Sequence, residues 1–197
     1  MKDSTLVEEL LELVQYRPQD AIVYLEQHPE LITGRLDTEE DPLYGGDHLI
    51  HYASESRQTQ ILRHLLDRGV DANTRGGEDE TPLHCTVSAN NMDGVRALLA
   101  AGADPNARDE YDRPPLDRCL EDHAEVFQVL LDAGAEPRLI PALAMGRTDV
   151  IENLVRTLTP AQLRAQVWDD NLLSLYVRYF DDPDAVIELL RQAGFMM

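Results

Sequence analysis

Apolar residues recur along this chain in pairs and triplets spaced three and four apart, the period that lines one face of a helix. At the start, Leu6, Leu10, Leu13 and Val14 form such a stripe, and Thr5-Leu6-Val7-Glu8 reads as the capping box that opens it. Pro18 opens a second short helix carrying Ala21, Ile22 and Leu25, and Pro29 closes it. Further stripes follow at Leu65-Leu66, at Val95, Leu98 and Leu99, at Leu130-Leu131, and at Val150, Ile151 and Leu154. Thr159-Pro160 starts another helix, and Leu172, Leu173 and Tyr176 mark one more. Asp182-Pro183 caps the last, with Val186, Leu189 and Leu190 buried and Gly194 at its end.

These stripes repeat. His48-Leu49-Ile50-His51-Tyr52-Ala53 precedes Thr81-Pro82-Leu83-His84-Cys85-Thr86 by 33 residues. At the same offset Leu65-Leu66 falls on Leu98-Leu99, Gly69 on Gly102, Asp71 on Asp104 and Asn73 on Asn106. A third unit begins at Pro114-Pro115-Leu116, and its closing Leu130-Leu131-Asp132-Ala133-Gly134-Ala135 arrives one residue early, which places a single deletion between its helices. Each residue type has a mechanical role. Thr81 caps the first helix, and Pro82 sits where its missing N–H does no harm. Leu83 faces the core, and His84 is placed to hydrogen-bond neighbouring loops. Gly102 supplies the left-handed residue that ends the second helix.

The unit resembles the ankyrin repeat, whose Thr-Pro-Leu-His hallmark is intact only at 81–84. The resemblance covers residues 44–137 and fades on both sides. It implies an all-α fold: an ankyrin-repeat solenoid of stacked helix-turn-helix units with short β-hairpin fingers and helical caps. On that reading residues 1–33 are an N-terminal cap, 34–137 hold repeats one to three, and 138–197 hold degenerate repeats and a C-terminal cap, all in one continuous solenoid. Departures are visible. His48-Leu49 stands for Thr-Pro in the first unit, and Asp117 replaces the histidine in the third. The segment from Gly34 to Gly46, with Asp37, Glu39, Glu40 and Asp41, reads as an extended acidic finger or loop. A fourth unit at Leu139–Leu154 has lost its finger between Arg138 and Leu139.

Charge narrows the function. The 17 basic residues against 37 acidic ones leave −20, a field that disfavours nucleic acid and anionic membrane and steers a basic protein inward. Lys2 is the only lysine, a bias expected of a GC-rich, bacterial coding sequence. No basic-then-apolar leader or membrane-length apolar run is present, so a cytoplasmic protein, monomeric when free, is expected.

Dedicated chemistry is hard to find. His48 and His51 stand three apart, as metal ligands can, but their repeat positions are structural, and no metal or cofactor is expected. Cys85 and Cys119 fall at packed first-helix positions, where buried thiols are the better reading. No nucleophile motif or phosphate loop occurs, so an enzyme is not expected. Trp168, Tyr176 and Tyr179 could line a small-ligand site, although aromatic residues so placed more often form core.

What remains is a surface. The resemblance implies protein binding through the finger tips and the exposed side of the first helices. By repeat phase that face holds Tyr44, Asp47, Glu55 and Ser56, then Glu78, Glu80, Ser88 and Ala89, then Glu110, Tyr111, Arg113, Glu121 and Asp122. It is an acidic concave face with two tyrosines, a residue type favoured as an anchor. It fits a basic protein partner, as for an immunity or antitoxin-type inhibitor. The alternative is a regulatory or scaffold role for a housekeeping enzyme. Without the fourth finger, a partner would also reach Met145 and Arg147.

Overall fold

The computed structural model describes residues 4–34, 36, 47–120, 122–167, 176, 177, 180 and 182–195. The chain divides into two compact units, Met1–Pro115 and Leu116–Met197.

Among the described residues the first unit contains three helix pairs. Helices α1 (Ser4–Tyr16) and α2 (Pro18–Gln27) pack on each other, followed by a 3-10 turn at Pro29–Leu31. Then come α3 (Leu49–Glu55) with α4 (Thr59–Asp67), and α5 (Pro82–Ser88) with α6 (Met92–Ala100). Helix α3 packs on α5, while α4 packs on both α2 and α6, so first and second helices form separate layers. Leu49, Ile50, Leu62, Leu65, Leu83, Val87, Val95 and Leu98 fill the core between them with no exposed surface. Each fully buried apolar side chain of this size contributes about 1.5–3 kcal/mol.

Seven-residue helices are unstable alone, and the caps show how these are held. His51 Nδ1 accepts the His48 N–H at 3.2 Å, and His84 Nδ1 accepts the Thr81 N–H at 3.1 Å. Each imidazole reaches back to the residue before its helix. The other ring nitrogen reaches forward. His51 Nε2 lies 3.1 Å from the Thr74 carbonyl and 3.2 Å from that of Glu80, and His84 Nε2 lies 3.0 Å from the Arg113 carbonyl. Each motif histidine therefore ties its own helix to the finger that follows. At the far end of α6, Gly102 takes φ +87° and the Ala103 N–H returns to the Leu98 carbonyl at 2.9 Å, a closure that needs the left-handed residue.

The fingers are tight turns rather than long ladders. Gly76 N–H donates to the Glu80 carbonyl at 2.9 Å, and Asp109 N–H to that of Arg113 at 3.0 Å. Extended pairing among the described residues is limited to an isolated bridge at His48. The N-terminal cap differs slightly from its sequence reading. Helix α1 already includes Ser4, and its buried stripe is Val7, Leu10, Leu11 and Val14, with Leu6 and Leu13 half-buried.

In the second unit, the third repeat's first helix is reduced to a 3-10 turn at Pro115–Arg118, and α7 (Ala124–Asp132) follows. Asp117, at the histidine position, is buried and holds Arg138 through both oxygens, with Nε to Oδ1 at 3.0 Å and Nη2 to Oδ2 at 2.8 Å. Helix α8 (Leu139–Ala144) starts directly after Arg138. With no finger there to offer a carbonyl, a carboxylate and a guanidinium make the link that a histidine makes elsewhere.

Helix α9 (Thr148–Thr157) packs on α8, on α10 (Pro160–Arg164) and on α11 (Pro183–Gln192). Asp182 caps α11 by accepting the Ala185 N–H at 3.1 Å. Tyr176 is buried; Trp168, Leu172, Leu173 and Tyr179 lie outside the described residues. Among the described residues no helix is long and apolar enough to cross a membrane.

Candidate functional site

The surface read from repeat phase resolves into parts with different roles. Its centre lies on the second and third fingers of the first unit. Asp109, 5% exposed, organises the third finger: its Oδ1 accepts the Tyr111 and Arg113 N–H groups, each at 2.9 Å, and its Oδ2 accepts Arg113 Nε at 3.0 Å. Burial alone would raise this carboxyl, but the hydrogen bonds and charge of Arg113 and the Tyr111 N–H outweigh it and hold it below its ordinary value.

Arg113, thus clamped, lays its guanidinium over the Tyr111 ring with Cζ 4.5 Å from the centroid. The ring is held from below and stays 56% exposed. Its hydroxyl hydrogen-bonds the Glu110 carboxylate, and that bond, the Glu110 charge and the nearby charge of Glu78 raise the phenol above its usual range. Glu78 sits at the preceding finger tip in a left-handed conformation (φ 52°), and its carbonyl accepts the Glu110 N–H at 2.9 Å. The result is an exposed, orientationally fixed aromatic beside two exposed carboxylates.

Other expected contact residues divide. Glu55 and Ser88 are exposed at the equivalent ends of α3 and α5, with Ser56 and Ala89 half-buried beside them. Asp47 and Glu80 serve the second finger instead. Asp47 Oδ1 accepts the Gly77 N–H at 2.9 Å, and a Cβ at Gly76 would lie 2.2 Å from that oxygen and 2.9 Å from His51 Nε2, so a larger residue there would displace both. Glu80 is half-buried, its carbonyl accepting from Gly76 and His51. Asp122 lies in the second unit, exposed and 3.0 Å from His123 Nδ1. Tyr44 and Glu121 lie outside the described residues.

Arg147 corrects an expectation. It is not on a first helix but precedes α9, and its guanidinium is already engaged. Nε and Nη2 each meet Asp149 at 2.8 Å, Nη1 meets Gln128 Oε1 at 2.8 Å, and Cζ lies 5.7 Å from the Phe127 centroid. The missing finger therefore does not leave Arg147 free for a partner.

Asp109 was not foreseen as an organiser. Its signal was the Asx-turn spacing, a carboxylate taking the N–H two residues on, as Asp71 does for Asn73 and Asp104 for Asn106. Elsewhere, Cys119 is buried and its thiol is pushed up to about 12, mainly by burial and further by Asp117, while Cys85 is half-buried. His48 Nδ1 lies 3.2 Å from the Thr33 carbonyl, so both His48 and His51 are engaged with backbone. Among the described residues no three His, Cys, Asp or Glu side chains gather as metal ligands would.

Comparison with known proteins matches residues 35–141 to the family model for ankyrin repeats, in three copies. The mouse cyclin-dependent kinase 4 inhibitor B is 39% identical over 62 residues, covering 32% of this chain and 48% of that protein. The palmitoyltransferase Hip14 of Drosophila melanogaster is 39% identical over 62 residues, 31% of this chain and 10% of its own length. Human neurogenic locus notch homolog protein 4 is 38% identical over 108 residues, 50% of this chain and 5% of its own length. In each case this chain spans less than half of the relative, and the names describe unrelated activities.

Proposed function

The chain belongs to the ankyrin-repeat family, whose repeats are protein–protein interaction modules, and on that premise we propose that it is a stoichiometric binding protein for a basic partner. The contact surface is the acidic face around Tyr111, Glu78 and Glu110, extended by Glu55 and Ser88. The single observation that supports this most is the Tyr111 ring held by Arg113 and flanked by carboxylates. A pre-positioned tyrosine buries area with little loss of rotamer freedom, and its acidic neighbours select a cationic side chain. The net charge of −20 adds long-range attraction, which raises association rate more than affinity.

An immunity or antitoxin-type inhibitor of a basic, nuclease-like protein is the specific form we favour, since an acidic cover competes well with a polyanionic substrate. A second form, a regulator of a cellular enzyme, is favoured by the similarity to a protein named as an inhibitor of cyclin-dependent kinase 4. One experiment bears on both. Tagged chain is used to capture partners from its native lysate at low and moderate salt, beside a variant carrying Glu78→Lys, Glu110→Lys and Tyr111→Ala. A single basic protein, retained by the parent and lost by the variant, is the expected outcome. Equal capture by both chains would remove this face from the proposal, and the partner's own activity decides between inhibitor of a toxin and regulator of an enzyme.

A further inference from the structure

The second helices of the first unit carry a surface of different chemistry. Glu26 and Asp67 are equivalent carboxylates, each nine residues beyond the residue that precedes its helix, Arg17 for α2 and Gln58 for α4. Where α2 packs on α4, Glu26 Oε1 receives Arg68 Nη1 at 2.6 Å and lies 3.4 Å from His64 Nε2. Where α4 packs on α6, the residues 33 positions beyond His64 and Arg68 are Ala97 and Ala101. The volume filled by two basic side chains in the first packing is empty in the second. It forms an open groove of about 480 Å³ over Leu66, Ala97 and Ala101, with Asp67 on its wall and Arg63 and Arg96 beside it.

Arg63 and Arg96 also stand 33 residues apart, so they occupy one repeat position on adjacent helices. Both are exposed, and among the described residues neither has a hydrogen-bond or ion-pair partner. Among the described residues Arg57 and Arg156 also lack a side-chain partner, but of these four only Arg63 and Arg96 line the groove, whereas Arg17, Arg68, Arg75, Arg113, Arg138, Arg147 and Arg191 have carboxylate partners. Packed helices lie about 8–10 Å apart, a separation that leaves each guanidinium room for a carboxylate of its own. Two carboxylates on alternate residues of an extended chain, about 6.6–6.8 Å apart before their side chains are counted, span it. A second copy of this chain is disfavoured by its own net charge of −20.

We infer that this groove docks an acidic segment of a partner protein, with carboxylates on Arg63 and Arg96 and a small apolar side chain on the alanine floor. The site is separate from the finger-tip face, and its occupant has the opposite charge to the partner proposed there.

The probe is a short end-capped peptide alternating glutamate with alanine, labelled for fluorescence anisotropy, with a glutamine-for-glutamate control. Binding to the full chain is measured near physiological ionic strength, where repulsion beyond roughly 8 Å is screened. The glutamate peptide is expected to bind and the control not to. Arg63→Glu with Arg96→Glu should weaken binding about tenfold or more, from two lost charge-assisted contacts. Ala97→His with Ala101→Arg rebuilds the filled α2–α4 arrangement over Asp67. It should also weaken binding although it adds positive charge, with circular dichroism checking that the helices persist. Equal binding of the two peptides, no binding, or stronger binding to the His/Arg variant would overturn the inference. So would sedimentation showing dimers of the chain that the Arg63→Glu, Arg96→Glu variant abolishes.

Discussion

At the scale of single residues, His51 makes the fold sensitive to mild acid. His51 needs a neutral ring, since Nδ1 accepts from His48 while Nε2 donates to the carbonyls of Thr74 and Glu80. Burial holds its pKa below the ordinary 6.5, although Asp47 and the two carbonyls pull the other way. The unfolded chain then takes up a proton that the folded chain resists, so stability falls as pH drops through 6.5. Urea midpoints should decline between about pH 7 and about pH 5, and His51→Gln should flatten that decline while costing about 1–3 kcal/mol at neutral pH. Asp109 works in the opposite range. Its folded carboxyl lies below the ordinary 3.8, so its contribution is present above that value and lost as pH falls through the folded one. Asp109→Asn should cost about 1–3 kcal/mol at neutral pH and reduce the acid dependence of the urea midpoint below about pH 4. The two residues differed in legibility. His84 and His51 could be assigned from the repeat motif, whereas Asp109 is one carboxylate among many until its turn is seen.

At the scale of elements, the 33-residue period exposed the helix pairs, because identical offsets in apolar residues, glycine and Asx positions require the same local structure each time. What the period could not say was how a unit absorbs a deletion. The missing residue of the third unit is visible in the spacing, but its conversion of the first helix into a 3-10 turn at Pro115–Arg118 depends on packing. The start of α1 departs from the expected cap at Thr5, since the helix already includes Ser4. The Asp117–Arg138 pair replaces a neutral link with a buried ionic one, which makes it fragile. Arg138→Met should cost about 3–5 kcal/mol by removing the cation held by both oxygens of the buried Asp117 carboxylate, read from the urea midpoint. Gly102→Ala should cost about 1 kcal/mol or more, because φ is +87° there although the space around it is open.

At the scale of the whole molecule, net charge was plain from composition, but its distribution over surfaces was not. Residue type could not separate Glu78 and Glu110, which stand exposed, from Asp47, whose carboxylate holds a finger together. Nor could it reveal the groove beside Arg63 and Arg96, which exists because side chains present in one packing are absent from the next. If the Tyr111 face carries binding, Tyr111→Ala should lower partner affinity by about 2 kcal/mol or more and leave the urea midpoint nearly unchanged, a split that titration calorimetry and unfolding can read together. The forward hydrogen bond of each motif histidine has a consequence for recombination. His84 closes on the Arg113 carbonyl, just inside the end of the first compact unit at Pro115. The exchangeable cassette therefore runs from a helix pair through the finger that follows it. A chimera joined between Ala101 and Gly102 would give His84 a foreign acceptor, while one joined after Pro115 would inherit the bond intact.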